Sequence, residues 1–488
     1  MKGVIVAAAI EGLEPKLVWQ HFYEISQIPR GSGNEDAVGE YIISVAQKNN
    51  LQYKKDDLGN IIVRKPATAG KENSTGTVIQ GHTDMVCEKN NDTVHDFTKD
   101  PIKLVRNGEW MKADGTTLGA DNGIGVCYAL GVMEDSSITH PPMEFLFTID
   151  EETGLTGATE LKSDFVKGKN LINLDSEEEG AFYIGCAGGQ HTILRRAIDW
   201  SKPPGGYSAF KVKIGGLRGG HSGLNIHEGF GNSIKLLSRF LYHLTQQIDF
   251  QVASFNGGSK HNAIPREAEA IITVAEDSID MLKSLSNEYD QIYKNELQFS
   301  DKEVYLETSD SSAAKKVFSE DLKNAFLRLL YSIPHGVIEM SQAVEGLVET
   351  STNMAIIETK EDTLELLTSQ RSSVASAISD IAGKVRSIGE LAGFKIEEGG
   401  GYPAWEPNPD SALLKLATDA YKETTGKNAE VKAIHAGLEC GIIGEKYEGM
   451  DMISFGPTIE GAHSPDERVH IQSVKNCWNF LLELLKKI

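Results

Sequence analysis

Apolar positions recur at helical spacing over Leu17–Ile28. They do so again over Asp36–Lys48, where Val38, Ile42, Ile43, Val45 and Ala46 fall on one face. Short apolar runs bounded by turn residues read as strands at Asn60–Val63, Thr77–Gln80, Phe145–Ile149 and Leu171–Leu174. Gly123–Glu134 is small or apolar all round, the pattern of a helix buried on every side. Strands alternating with helices predict an α/β fold whose sheet is covered on both faces, an α/β/α domain.

The pattern changes after Gly188-Gly189. Thr192–Ile198 and Ala209–Ile214 read as strands before a long amphipathic helix, Phe230–Ile248, and the strand Ala268–Val274 precedes a helix over Ser278–Leu297. A similar mixture follows: strand-like Lys302–Glu307, a helix near Ser319–Tyr331, strands near Val337–Met340, Asn353–Thr359 and Thr363–Ser369, and a helix over Ser373–Leu391. This reads as an α+β insertion, long enough for two units of about a hundred residues. Glu398-Gly399-Gly400-Gly401-Tyr402-Pro403 reads as a hinge. After it, helix-like Ser411–Thr424 and strand-like Met452–Phe455 resume the first pattern. The expected organisation is one domain in two segments, residues 1–188 and 399–488, with residues 189–398 inserted as a lid.

A chain of 488 residues is too long for one ordinary core, in keeping with that division. The net charge of −22 argues against a nucleic-acid or anionic-membrane surface, which needs clustered Lys and Arg. Five dispersed cysteines without a CxxC speak against a disulfide framework and for a reducing, cytoplasmic setting. No apolar run approaches the ~20 residues of a membrane helix. The start, Gly3–Ile10, passes only as a poor signal peptide, with Glu11 and Glu14 following at once.

Five residues near the ends of expected strands have contexts that suit metal ligands: His82, Asp121, Glu152, Asp175 and His463. Two imidazoles and three carboxylates suit a pair of zinc-like ions, because borderline metals accept both ligand types. His82 and Asp84 form His-x-Asp, in which the carboxylate can fix the imidazole's tautomer, although a capping Asp beside a surface His has the same spacing. Asp121 has small neighbours and two oxygens, one for each of two ions, but Asp-Asn-Gly is also an ordinary turn. Of Glu151 and Glu152 only one needs to bind metal, and the other is free to move a proton. The alternative there is a solvated acidic loop, as for Glu177-Glu178-Glu179. In the insertion, His221 sits among five glycines where it could face an oxyanion, Asn262 offers an amide and Arg371 a fork for a carboxylate. Each of these three, taken singly, also fits a glycine-rich hairpin, a loop amide or a surface arginine.

Laid in order, the segments resemble the co-catalytic dizinc metallopeptidases, and within them the Xaa-His dipeptidase type. The shared series is Gly81-His82-Thr83-Asp84, Ala120-Asp121-Asn122-Gly123, Asp150-Glu151-Glu152-Thr153-Gly154, a strand ending in Asp175, Gly219-Gly220-His221-Ser222-Gly223 and Ala462-His463. Finer matches are Ile28-Pro29-Arg30-Gly31-Ser32-Gly33-Asn34-Glu35, Gln80–Val86 and His435-Ala436-Gly437-Leu438-Glu439-Cys440-Gly441. The resemblance implies that His82 and Asp175 hold one zinc, Glu152 and His463 the other, with Asp121 bridging them and cobalt or manganese as substitutes. It implies a cis bond at Asp121–Asn122. It makes Asp84 the orienter of His82, Glu151 the base and His221 the oxyanion donor. Asn262, Arg371, Gly437 and Glu439 would bind substrate. The expected activity is hydrolysis of Xaa-His and other dipeptides, with a homodimer as the default assembly. A deacylase of N-acyl amino acids or a tripeptidase would use the same metals. A non-catalytic peptide-binding protein should have lost the base or a ligand, and here all are present.

Overall fold

The computed structural model describes residues 8–488, so most of the apolar start, Gly3–Ile10, lies outside the described residues. The chain divides into two units. The first holds residues up to Gly185, Pro407–Ala433 and Leu438–Ile488, and the second holds Cys186–Glu406 and Ile434–Gly437.

The first unit is built on an eight-stranded sheet. Its order is Gln52–Lys55, Ile61–Lys65, Met143–Thr148, Thr77–His82, Asn170–Asn173, Asp451–Ser454, Ala181–Cys186 and Glu430–Ile434. The central strands Met143–Thr148, Thr77–His82, Asn170–Asn173 and Asp451–Ser454 run parallel. Parallel strands are buried on both faces, which explains their unbroken apolar runs. Helix Ala120–Glu134 is buried along almost its whole length. A Cβ on its Gly131 would stand 2.9 Å from the Trp478 ring, so only glycine lets the C-terminal helix Ile471–Lys487 approach. That helix buries Val474, Trp478, Leu481 and Leu485 at helical spacing. Its Phe480 stacks on Phe182 with ring centroids 5.0 Å apart. Each such fully buried side chain contributes about 1.5–3 kcal/mol. Among the described residues, no helix is long and apolar enough to cross a membrane.

The second unit carries a nine-stranded antiparallel sheet with helices Ser233–Leu244, Ile279–Glu296, Glu320–Ser332 and Ala375–Leu391. One sheet runs through the whole insertion, where the length alone allowed two separate halves. The expected hinge at 398–403 is instead the end of a strand, Lys395–Tyr402, paired with Gly188–Ala197. Gly399 faces His191 and Tyr402 faces Gly189, with a register shift between them. Glycines at an edge strand can absorb such a bulge because pairing uses the backbone, not side chains. The expected border at 398/399 therefore falls inside a strand, and the chain leaves the second unit only after Glu406.

Candidate functional site

The parallel strands of the first unit deliver the site. His82 is the last residue of Thr77–His82, Glu151 and Glu152 follow Met143–Thr148, and Asp175 lies two residues past Asn170–Asn173. Asp121 opens the buried helix, and its bond to Asn122 is cis. His463 sits in a loop after Asp451–Ser454, with a left-handed φ of 61° that His adopts more readily than most residues. Side chains leaving several strand ends converge there, as open α/β sheets arrange it.

His82 Nε2 stands 3.2 Å from Asp121 Oδ1 and 3.1 Å from Asp175 Oδ1. His463 Nε2 stands 3.2 Å from Asp121 Oδ2 and 3.0 Å from Glu152 Oε2. One oxygen of Asp121 thus faces each imidazole. Ligand atoms of His82, Asp121 and Asp175 lie within 4.8 Å of one another, as do those of Asp121, Glu152 and His463, and those of His82, Glu151 and Glu152. Two ligand atoms on one tetrahedral zinc stand about 3.3 Å apart, so these spacings suit a shared ion. Glu152 Oε1 is buried without a hydrogen bond, as a cation's ligand would be.

The electrostatics point the same way. Burial alone would push His82 down, but Asp175, Asp121 and Asp84 hold it well above the ordinary imidazole range. Hydrogen bonds donated by its ring N–H to Asp121 and Glu152 hold His463 at about 11. Burial raises Asp175 to about 6, and burial with Asp175, Glu439 and Glu152 nearby raises Glu151 well above a usual carboxylate. Burial would raise Asp121 too, but His463 and His82 outweigh it and hold it low. The cluster carries more negative charge than two imidazoles can offset, and it pulls protons onto both. The field that holds those protons would hold metal cations in their place. The residues present therefore fit a metal centre.

Asp84 has a wider task than the sequence assigned. It lies 3.3 Å from His82 Nδ1, and its two oxygens also accept the backbone N–H groups of Glu151 and Glu152, each at 3.1 Å. One buried carboxylate thus aims an imidazole and fixes the acidic pair. Burial would raise it, but the His82 bond and charge, with Ser32 and Glu152, hold it at about 2.

Two residues that sequence reasoning missed hold the Asp121 segment. The Glu467 carboxylate accepts from the backbone N–H groups of Leu118, Gly119, Ala120 and Asp121 at 2.7, 2.9, 2.7 and 3.2 Å. The Arg30 guanidinium donates to the carbonyls of Thr83 and Asp84 at 2.9 and 2.8 Å, and also to that of Gly119. Both act on backbone atoms from far along the chain, so no local pattern announces what they hold. Replacing Glu467 with Ala would leave four donors without their acceptor, at about 1–3 kcal/mol for each that stays dry. We expect the melting temperature to fall by at least about 5 °C in Glu467→Ala and by less in Glu467→Gln, as calorimetry would show.

Glu439, expected to bind substrate, is 0% exposed. Its Oε2 accepts from Gln80 at 2.6 Å and Thr148 at 2.7 Å, beneath the strand ends that carry His82 and Glu151, while Oε1 has no partner. Burial pushes it to about 7.

The other expected substrate residues, His221, Asn262, Arg371 and Gly437, belong to the second unit. Gly437 was expected in the first. It sides with the insertion because the short piece Ile434–Gly437 packs there, with Gly437 against the Tyr402 ring. His221 pairs with Ala263 across two short strands, and Ser222 N donates to the Asn262 carbonyl at 2.8 Å. His221 Nδ1 accepts from the N–H groups of Leu224 at 3.0 Å and Gly223 at 3.3 Å. That fixes the tautomer with hydrogen on Nε2. Burial, then Arg371 and His261, lower His221 to about 4, so it offers a neutral N–H donor. Arg371 is 7% exposed and has no ion-pair partner among the described residues.

Residues 78–487 match the family model "Peptidase family M20/M25/M40". The chain is 46% identical over 476 residues to the cytosol non-specific dipeptidase of Escherichia coli (strain K12), covering 98% of each. Its fold matches the aminoacylhistidine dipeptidase of Vibrio alginolyticus with a TM-score of 0.91, at 43% identity and 98% coverage of each chain. An aminopeptidase from Bacillus cereus shares the fold at a TM-score of 0.57 and 14% identity, over 97% of this chain and 99% of that one.

Proposed function

Because this chain belongs to peptidase family M20/M25/M40, we propose that it hydrolyses dipeptides, Xaa-His among them, in the cytosol and with two zinc ions. The observation that carries the reading is the convergence of two imidazoles and three carboxylates on one place, with one oxygen of Asp121 toward each imidazole. The dipeptidase names of the Escherichia coli and Vibrio alginolyticus proteins support it. His82 and Asp175 would hold one ion, Glu152 and His463 the other, and Asp121 both. Zinc there, or cobalt or manganese, which the same ligands accept, would polarise the scissile carbonyl and acidify water.

The chain's own groups do the rest. Glu151 takes a proton from the attacking water as its oxygen bonds to the carbonyl carbon. It returns that proton to the nitrogen as the C–N bond breaks, so the peptide leaves as an acid and an amine. A raised Glu151 suits this double use, since it gives the proton up less readily to solvent. Asp84 holds the backbone of Glu151 and Glu152 and the ring of His82 in register throughout. His221 offers its Nε2–H to the carbonyl oxygen as negative charge gathers there. Arg371 and Asn262 bind the C-terminal carboxylate, which selects short substrates, and Gly437 lines that contact. Glu439, expected as a substrate contact, is buried and instead braces the strand ends from beneath through Gln80 and Thr148. A homodimer is the assembly we expect.

Hydrolysis of Ala-His, β-Ala-His, Ala-Ala-Ala and acetyl-Ala by zinc-loaded protein tests the reading. Cleavage of the dipeptides above the other two supports it. Preference for acetyl-Ala would make the protein a deacylase, preference for Ala-Ala-Ala a tripeptidase, and turnover of none a binding protein.

A further inference from the structure

Arg371 poses a problem that its own strand does not solve. It is a buried guanidinium, and its only hydrogen bond among the described residues runs from Nη1 to the Tyr402 hydroxyl at 2.6 Å. Its Nε has no partner. A buried charge with open donors is costly until an anion fills them. Tyr402 reaches it by an unusual route. Arg371 and Tyr402 lie on different strands, Thr363–Ser372 and Lys395–Tyr402, with Gly188–Ala197 between them. Both pair with the same residue of that middle strand, Gly189. A side chain at 189 would separate the two: its Cβ would stand 2.7 Å from the Tyr402 ring. A Cβ at Gly437 would stand 2.6 Å from the ring's other edge. Two glycines thus form a slot that fixes the ring and sets its hydroxyl on the guanidinium.

A phenol has one hydrogen to donate and lone pairs to accept with. Here the oxygen accepts from Arg371, so the hydroxyl's own hydrogen is directed away from the guanidinium and is free to be given to an anion. Its donor is therefore left beside the open donors of Arg371. We propose that Tyr402 is a substrate-binding residue. Its O–H and the Arg371 guanidinium together grip one carboxylate, the C-terminal carboxylate of the dipeptide. The accepted Arg371 bond polarises the hydroxyl and strengthens what it gives. This rests on the dipeptidase reading for the identity of the anion.

The test compares Ala-His with its C-terminal amide, using wild type and Tyr402→Phe, each zinc-loaded and checked for an unchanged melting temperature. The quantity read is the ratio of kcat/KM for the acid to that for the amide. Phe keeps the ring in its slot and removes only the hydroxyl. A hydrogen bond to a charged group is worth tenfold or more in binding, so the ratio is expected to fall about tenfold, mainly through KM for the acid. A loss shared equally by both substrates, or none, overturns the role of the hydroxyl while leaving the dipeptidase reading in place. A wild type that cleaves neither substrate overturns that reading and this one with it.

Discussion

Glu151→Gln is expected to lower kcat on Ala-His by about 10³-fold, the larger part of what a positioned general base supplies. That is about 4 kcal/mol of barrier. The substitution is close to isosteric, and the local backbone does not depend on the side chain, because Asp84 Oδ1 holds the residue's N–H. What disappears is the ability to carry a proton between water and the leaving nitrogen. KM should move little, since Glu151 makes no contact assigned to ground-state binding. Metal analysis makes the experiment decisive. Glu151 also lies in one of the three groupings that could hold an ion, with His82 and Glu152. If it were a ligand rather than a base, Gln would release metal along with activity. Full metal content with lost turnover is the expected outcome, and activity lost in proportion to metal would remove Glu151 from its role.

The parts of this site that could be read from sequence are those whose chemistry and position coincide. His82, Glu152 and Asp175 each stand just past an apolar run, and an ionisable group at a buried strand end has few structural reasons to be there. Asp121 and His463 were readable as ligands only together with the others, because each sits in a segment that is also a plain turn. What escaped was everything that works through backbone atoms. Glu467 is separated by 346 positions from Asp121, whose N–H it accepts, and any acidic residue near the C-terminus would have looked the same. Arg30 lies in the Ile28–Glu35 segment, and nothing local to that segment shows that it ties Thr83, Asp84 and Gly119 together.

The glycine-rich stretch at 398–403 shows the opposite error. Glycine clusters are read as breaks because an isolated chain is free there, but a neighbouring strand removes that freedom by pairing. The residue that mattered in that stretch was Tyr402. It looked like punctuation because its partners, Gly189 and Arg371, come from strands distant in sequence and contribute an absence of side chain and a charge.

Asp121→Asn should abolish activity outright, to background rather than by a measurable fold. The physical reason is the shared position. Oδ1 faces His82 and Oδ2 faces His463, each at 3.2 Å, so one carboxylate serves both halves. An amide keeps the shape but turns one of the two oxygens into a donor that cannot ligate, and it removes a negative charge that the cations need. His463→Ala should behave differently. His463 is 56% exposed and pairs with Asp121 and Glu152, so its loss leaves the His82, Asp121 and Asp175 grouping whole. Metal content measured after dialysis is therefore expected to order wild type, His463→Ala and Asp121→Asn from two ions through about one to fewer. Stability should follow the same order, because ions that bind only the folded state raise the melting temperature. A chelator should bring the wild type to the level of Asp121→Asn, and added zinc should restore it but not the variant. The order would be broken if Asp121→Asn retained two ions, and the carboxylate would then have to be moved from bridging ligand to a neighbour of the metals.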